Sequence, residues 1–357
     1  MSKPNLVVYY HSPCHDGFLG QLVITRLLSE YANVTTVPLG HGPKRNWDVS
    51  IFTKKQTTVF FVDIAPHPAM LDELVAVENI SEIQVWDHHI DFRTMYGDAT
   101  WKEVPLTNYF DVTLQTASPH PKVKFHFCND VSGSRLAPIA AGHWIHDNPW
   151  VVLQLPDGDD REVIKAQEMA AIMYNHPIIQ HASDYDTWQK KLPHTDAVFA
   201  YYRNYNYSDI GKWHELLNRI TSFDTPGYRN LVQKGEAMIE AIETLAQKLC
   251  AGETPRPTVL SVPNENGDDV LYQGVICNAY GLLANDVGEI MRTKYNYDFA
   301  IMFNVEPNTI ALSIRTKPGV PANSIAKLWG GGGHAGSAGA GISGDARMAW
   351  LNQYVFV

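Results

Sequence analysis

The stretch Val85-Trp86-Asp87-His88-His89 decides how the chain is interpreted, because an apolar run ends there in one acid and two adjacent histidines. The apolar residues before Asp87 predict a buried strand, so the three polar residues lie at its carboxyl end. In an open α/β sheet, this is the edge where ligands bind. Neutral imidazole is a common metal ligand, and a neighbouring carboxylate fixes its tautomer. A surface loop holding two histidines is the alternative, so the rest of the chain must decide.

Composition describes a globular chain of 357 residues, 45% of them hydrophobic and 18% charged. A chain of this length is expected to form two domains. We find neither a signal peptide nor an apolar run long enough to span a bilayer, so a cytoplasmic protein without membrane contact is expected. The four cysteines show no CxxC spacing, which argues against a disulfide framework and a thiolate zinc site. The formal charge of −10 argues against charge-driven binding of long duplex nucleic acid, whereas a short anionic substrate held by metal ions remains compatible.

Two earlier apolar runs also end in side chains that can bind metal. The first ends at His11, and Asp16 with Gly17 then opens a segment of helical spacing. The second ends at Asp63, before a predicted helix that begins at Pro68. A single acid at a strand end is often a helix cap, but three successive ends of this kind are not explained by three caps. We therefore expect these side chains to share one edge of a sheet.

The later part of the first domain contributes one more candidate ligand. A short apolar run there ends in acids at Asp184. The tyrosine-rich residues 201–207 could stack on nucleic-acid bases, although such runs are more often amphipathic packing. Residues 91–131 show little regular pattern apart from an alternating run at 123–127, which predicts a strand. A polar turn is predicted at 156–160.

A long amphipathic helix beginning near residue 228 is predicted to connect the two domains. It ends at Ala251-Gly252, which places the domains at 1–227 and 253–357 with a linker at 228–252. The second domain then alternates strands and helices up to a run of four glycines followed by His334. Consecutive glycines expose backbone N–H groups that can bind an anion, and His334 adds a donor. A flexible linker is the alternative interpretation.

These motifs resemble those of a known family. Asp87-His88-His89 with the surrounding acids and His11 is similar to the DHH phosphoesterase family, and the C-terminal motifs resemble its accessory DHHA1 domain: Ala311-Leu312-Ser313-Ile314-Arg315, Gly331-Gly332-Gly333-His334 and Ala338-Gly339. The resemblance implies an α/β fold of two domains, a parallel-sheet DHH domain joined by a helical linker to a smaller α/β DHHA1 domain. Relatives so implied include oligoribonucleases, RecJ-type exonucleases, nucleoside bisphosphate phosphatases and dinucleotide phosphodiesterases.

The ligand chemistry suits Mn²⁺ or Mg²⁺, because hard carboxylate oxygens are mixed with imidazole nitrogens. The resemblance implies two ions bridged by Asp63, with His11 and Asp16 on one ion and His88 and Asp184 on the other. It further implies that Asp87 orients the pair and that His89 contacts a phosphate oxygen. For the second domain, the resemblance implies that a terminal phosphate or a nucleotide is bound by Arg315, Gly332, Gly333 and His334. It also implies that the substrate is cleaved between the domains.

The first motif departs from many relatives, which have Asp-x-Asp where this chain has His15-Asp16-Gly17. One carboxylate fewer should weaken the second ion, unless His15 or Cys14 assists.

Three functions remain open at this point. The first is a metal-dependent phosphodiesterase, or exonuclease, that releases mononucleotides from short single-stranded oligonucleotides or dinucleotides. The second is a phosphomonoesterase acting on a nucleoside 3′,5′-bisphosphate or a similar small phosphate. The third is a nucleotide-binding sensor without turnover. A homodimer is compatible with each.

Overall fold

The computed structural model describes residues 3–40, 48–53, 56–106, 109–147, 161–203, 205–252, 255–264, 267–333 and 335–356. The chain separates into two compact units, Met1–Glu236 and Ala237–Val357, each with its own sheet. The predicted α/β fold of two domains is therefore confirmed. The boundaries predicted at 227/228 and 252/253 stay predictions. Among the described residues, no helix is both long enough and apolar enough to cross a membrane.

The first unit alternates strands with helices along most of its length. Its elements are β1 Asn5–His11, α1 His15–Leu28, β2 Asn33–Leu39, β3 Thr57–Val62, α2 Pro68–Ala76, β4 Ile80–Asp87, α3 Ile90–Met95, β5 Lys102–Leu106, β6 Val112–His120, β7 Val123–Phe127, α4 Gly133–Asp147, α5 Arg161–Tyr174, α6 Pro177–Asp186, α7 Thr195–Tyr202, α8 Ile210–Arg219 and α9 Pro226–Ala251, which continues into the second unit. The sheet order is β2-β1-β3-β4-β7-β6-β5. The first five strands in this order are parallel, and β6 and β5 extend the sheet in antiparallel fashion.

The central strands form because their side chains are apolar on both faces, as in a parallel sheet covered by helices. Every residue of β3 is buried, and so are most residues of β1 and β4. In the register, Tyr10 of β1 pairs with Val62 of β3, and Val62 pairs with Trp86 of β4. The residues that follow these three positions therefore lie together at the carboxyl edge of the sheet.

The region from 91 to 131, whose pattern was hard to interpret, contains α3 and the hairpin strands β5 and β6. The strand predicted at 123–127 is β7. The apolar run before Asp184 is the helix α6, which begins at Pro177 beneath a cap from His176, whose Nδ1 accepts from the Ile178 amide at 3.2 Å. The turn predicted at 156–160 lies outside the described residues.

The tyrosine-rich stretch packs inside the unit, in agreement with the packing interpretation. Tyr202 is fully buried, Tyr205 contacts Trp213, and Tyr207 contacts both Phe18 and the His15 ring. These rings therefore serve the core of the first unit.

The second unit is built on a mixed sheet. Its elements after α9 are β8 Arg256–Pro263, β9 Asp269–Asn278, α10 Ala284–Thr293, β10 Phe299–Val305, β11 Thr309–Thr316, α11 Ala322–Lys327, β12 Gly332–Gly333, β13 Ser337–Ser343 and α12 Ala346–Tyr354. The strand order is β12-β13-β11-β10-β9-β8, and only β9 and β10 run parallel. Apolar clusters cover both faces of this sheet, so it has a core of its own.

Candidate metal centre

The edge where β1, β3 and β4 end brings two histidines onto one carboxylate. His11 Nδ1 lies 3.3 Å from Asp63 Oδ2, and His88 Nε2 lies 3.1 Å from Asp63 Oδ1. The Asp63 side chain is only 1% exposed. Burial alone would raise its pKa, but the hydrogen bonds to His11 and His88 outweigh burial and lower the pKa of Asp63. Asp63 is therefore the charged centre of this edge.

Asp63 adopts a backbone conformation that few residues other than glycine use. Its φ is +62°, and its amide donates to the Trp86 carbonyl at 3.0 Å. Aspartate tolerates this left-handed region better than most residues. Such conformations cost on the order of 1–3 kcal/mol and persist where the surrounding structure enforces them, often at functional sites.

Asp87 orients the two histidines that follow it. Its Oδ1 accepts from the His88 amide at 2.7 Å, from the His89 amide at 3.2 Å and from His89 Nδ1 at 2.7 Å. Burial alone would lower the pKa of His89, but the bond to Asp87 outweighs it and raises that pKa. The carboxylate thus fixes the turn and the proton-bearing nitrogen of His89, as expected for an orienting group.

The structure places Asp186, and not the predicted ligand Asp184, at the centre. Asp186 Oδ2 lies 3.1 Å from His88 Nε2. The Asp184 carboxylate accepts from the amides of Lys191 and Leu192 at 2.7 and 3.1 Å and from the Thr195 hydroxyl at 2.5 Å. Residues two apart on a helix point about 200° apart around its axis, so only one of the two acids can face the centre.

Asp16 is held at the centre by Ser132 and Ser134, two residues for which the sequence analysis predicts no role at the site. The Ser132 hydroxyl and the Ser134 amide, the latter at 3.1 Å, donate to its two oxygens. Ser183 Oγ in turn accepts from the Ser132 amide at 2.9 Å. Burial, together with the charges of Asp63 and Asp186, raises the pKa of Asp16 well above its usual range. Like charges this close disfavour each other's ionised form, and a bound cation would relieve that repulsion.

Three overlapping groups of side chains have the composition of a metal site, with ligand atoms within 4.8 Å of one another in each group. Asp63 is common to all three, which are Asp16, Asp63, His88 and Asp186; His11, Cys14 and Asp63; and Asp63, Asp87, His88 and His89. Asp16 thus groups with His88 rather than with His11, which differs from the implied pairing. Carboxylate oxygens with imidazole nitrogens suit a hard divalent cation, so the residues present fit the implied metal.

Of the two candidates to supplement the first motif, the structure places only Cys14 near Asp63. Burial, together with the charges of Asp63 and Asp16, raises the pKa of the Cys14 thiol. The His15 ring turns away, with Nε2 3.1 Å from the Arg203 carbonyl and Nδ1 3.1 Å from the Tyr207 hydroxyl. Burial lowers the pKa of His15 to about 4, so it serves as a neutral packing residue.

Two glycines allow the backbone to close around the centre. A Cβ on Gly17 would lie 2.4 Å from the His11 carbonyl oxygen. A Cβ on Gly133 would lie 2.3 Å from Asp63 Cβ and 3.0 Å from Asp16 Oδ2. Helices α1 and α4 therefore approach the strand ends at distances that only glycine permits.

In the second unit, β11 and β13 bring Arg315 and the glycine run to one part of the sheet. Arg315 pairs with Ser337, and two residues on, Gly339 of the same strand pairs with Gly332. Arg315 Nε donates to Asn285 Oδ1 at 2.9 Å, and Gly288 leaves room for its stem, since a Cβ there would lie 2.7 Å from Arg315 Cβ. His334 lies outside the described residues.

The glycine run follows helix α11 and enters a strand, so these glycines are part of ordered structure. A Cβ on Gly331 would lie 2.1 Å from the Gly339 carbonyl oxygen. Gly333 has a φ of +141°, and a Cβ there would lie 2.6 Å from Ala338 Cα. Close strand pairing thus explains two of the glycines. Anion binding by Gly332 and Gly333 stays a prediction.

Comparison with known proteins identifies the second unit. Residues 270–355 match the DHHA1 domain. No curated protein sequence matches the chain significantly. Three similar solved structures each align with 98% of this chain. An exopolyphosphatase-related protein from Bacteroides fragilis is 13% identical, with 91% of its own chain covered and a TM-score of 0.40. The pGpG-specific phosphodiesterase PggH from Vibrio cholerae is 14% identical, with 98% of its chain covered and a TM-score of 0.35, and CDC45 from Entamoeba histolytica is 10% identical, with 94% covered and a TM-score of 0.38. These identities and TM-scores are too low to carry an assignment.

The DHHA1 domain and the metal centre point to the same conclusion. The first unit presents Asp87-His88-His89 at the end of a parallel strand, within a buried group of acids and histidines. The second unit matches the accessory domain that accompanies this motif. The DHHA1 domain at residues 270–355 and the buried Asp-His-His centre together support a member of the DHH/DHHA1 phosphoesterase family.

Proposed function

We propose that the chain is a metal-dependent phosphodiesterase that releases mononucleotides from short single-stranded oligonucleotides or dinucleotides. The observation that carries the proposal is the position of Asp63, whose two oxygens face different histidines and which belongs to every group of ligating side chains at the centre. A shared carboxylate of this kind is expected where two cations are bound side by side.

The donor set favours Mn²⁺ or Mg²⁺. Asp16, Asp63, His88 and Asp186 would hold one ion, and His11 with Asp63, and with Cys14 nearby, would hold a second. When bound, such ions polarise the phosphoryl group, lower the pKa of a water molecule and stabilise the leaving oxygen. The second group contains fewer carboxylates, so we expect its ion to bind more weakly.

The protein's own groups would orient the substrate around this centre. The side chains of His89 and Asp186 are 37% and 32% exposed, whereas those of Asp63 and Asp87 are almost completely buried. His89 and Asp186 therefore mark the open side, where a phosphodiester can approach. With Nδ1 tied to Asp87, the His89 ring would contact a phosphate oxygen in a fixed orientation.

The second unit would select the substrate. Arg315, Gly332, Gly333 and His334 would bind a terminal phosphate or a nucleotide through guanidinium, backbone and imidazole donors. The net charge of −10 opposes binding along an extended polyanion. A short oligonucleotide therefore fits better than long duplex nucleic acid, and no membrane partner is proposed.

The test is turnover of the dinucleotide pApA with Mn²⁺ by the wild-type chain and by Asp63→Asn. Asparagine also tolerates a positive φ, so the fold should persist. Loss of the shared negative charge should reduce kcat/KM by about 100-fold or more, as expected when a stabilising contribution of several kcal/mol is removed. The matched control is Asp72→Asn on the exposed face of α2, which should retain wild-type rates.

Three other outcomes would reject the proposal. Near wild-type rates for Asp63→Asn would contradict the role of Asp63. Turnover by the wild type of a nucleoside 3′,5′-bisphosphate but not of pApA would identify a phosphomonoesterase. Binding of both compounds without turnover would identify a sensor.

A further inference from the structure

Trp188 is the most exposed of the large apolar side chains in the part of the chain that the structure describes, with 72% of its surface accessible. It follows Asp186, a member of the metal centre, by two residues. Two residues of chain span at most about 7 Å, so Trp188 leaves the backbone beside the centre. An exposed tryptophan gains little from folding, because its apolar surface stays in water.

The backbone around Trp188 is held in an uncommon conformation. Trp188 and Lys190 have φ values of +53° and +50°, which are rare for residues with large side chains. The Trp188 amide donates to the Tyr185 carbonyl at 3.1 Å, and the Asp184 carboxylate accepts from the Lys191 amide at 2.7 Å. Asp184, which does not face the metal centre, thus fastens the loop that presents Trp188.

Trp188 is also the outer member of a series of aromatic rings. Phe199 stacks on Tyr185 with centroids 3.6 Å apart, and the Tyr185 ring lies 6.1 Å from Trp188 at an interplanar angle of 29°. Lys190 Nζ lies 4.1 Å from the Tyr185 centroid and 5.3 Å from that of Trp188. A supported aromatic face beside a cation is how proteins bind unpaired bases of single-stranded nucleic acid.

We propose that Trp188 stacks on a nucleobase of the substrate and thereby makes the enzyme selective for phosphate esters that carry a base. The proposal rests on the function proposed above and narrows its substrate class. Base-free phosphates such as polyphosphate would lack this contact. Lys190, whose ammonium pairs with Asp196, lies beside this face.

Calorimetric binding of two matched ligands, AMP and ribose 5-phosphate, tests the proposal without requiring turnover. Trp188→Ala should weaken AMP binding by about 5- to 150-fold, the range for loss of one base–aromatic stack, and leave the affinity for ribose 5-phosphate unchanged. Trp188→Phe should restore most of the AMP affinity. The control Ile172→Ala, a 58% exposed apolar residue on α5, should change neither affinity.

Two results would overturn the proposal. Unchanged AMP affinity in Trp188→Ala would show that the ring does not stack on the base. Equal weakening of both ligands would assign Trp188 a structural role only. A different result would contradict the proposed function alone. The wild type would then bind AMP in a Trp188-dependent manner but would not hydrolyse pApA.

Discussion

Replacement of Gly133 by alanine tests whether close packing of α4 sets the geometry of the metal centre. The added Cβ would lie 2.3 Å from Asp63 Cβ and 2.8 Å from Asp63 Cα. Carbon atoms pack at about 3.5–4.0 Å, so either helix α4 or Asp63 must move away by roughly 1 Å. Asp63 cannot shift easily, because its φ of +62° and the hydrogen bond from its amide to the Trp86 carbonyl define its position.

The size of the effect follows from this displacement. Overpacking a well-filled site typically costs about 1–3 kcal/mol of stability. A misplacement of about 1 Å at a reacting centre reduces rates on the order of 100-fold. We therefore expect Gly133→Ala to lower the free energy of unfolding by about 1–3 kcal/mol, to weaken Mn²⁺ binding and to reduce turnover of pApA by about two orders of magnitude.

The same helix offers a matched control. A Cβ on Gly142 would lie 3.5 Å from Ala170 Cβ, an ordinary contact. Gly142→Ala should therefore stabilise α4 by up to about 1 kcal/mol through its helix propensity and leave the centre unchanged. Urea unfolding, Mn²⁺ calorimetry and kcat/KM measure the three quantities for both variants. Wild-type Mn²⁺ affinity in a folded Gly133→Ala protein would refute the reasoning.

Two further predictions concern acids and buried histidines of the first unit. Asp186→Asn should weaken Mn²⁺ binding at least about tenfold. Asp184→Asn should instead cost about 1–3 kcal/mol of stability and leave the Mn²⁺ affinity within about twofold, because the Asp184 carboxylate accepts hydrogen bonds from a loop and does not face the centre. Calorimetry and urea unfolding check both, and the reverse pattern would contradict the placement of Asp186 rather than Asp184 at the centre. Burial lowers the pKa of His176 and of His181 to about 4, below the unfolded value of about 6.5. The unfolded chain therefore binds more protons between these values, so stability is complete above pH 6.5 and falls toward pH 4 by up to about 3 kcal/mol per histidine. Urea unfolding from pH 4 to 7 measures this, and stability that stays level across that range would contradict it.

The sequence by itself determined the strands that end at the centre and the edge where the polar residues meet. Apolar runs that end abruptly at His11, Asp63 and Asp87 are local signals, and parallel strands must release such residues on the same side. The Asp87-His88-His89 motif and the glycine run indicated the resemblance to the DHH/DHHA1 family in the same way. Both depend on residue type and order, which are read directly from the chain.

Only the tertiary structure decided which of two neighbouring acids faces the centre. Asp184 and Asp186 are equivalent in residue type, and the choice depends on how α6 is rotated against the sheet, which distant residues determine. The Ser132 bond to Asp16 spans 116 residues and has no local signal. The His15 ring is turned away by Arg203 and Tyr207, which follow it by 188 and 192 residues. Packing between segments far apart in sequence fixes these orientations, so no pattern of neighbouring residues could predict them.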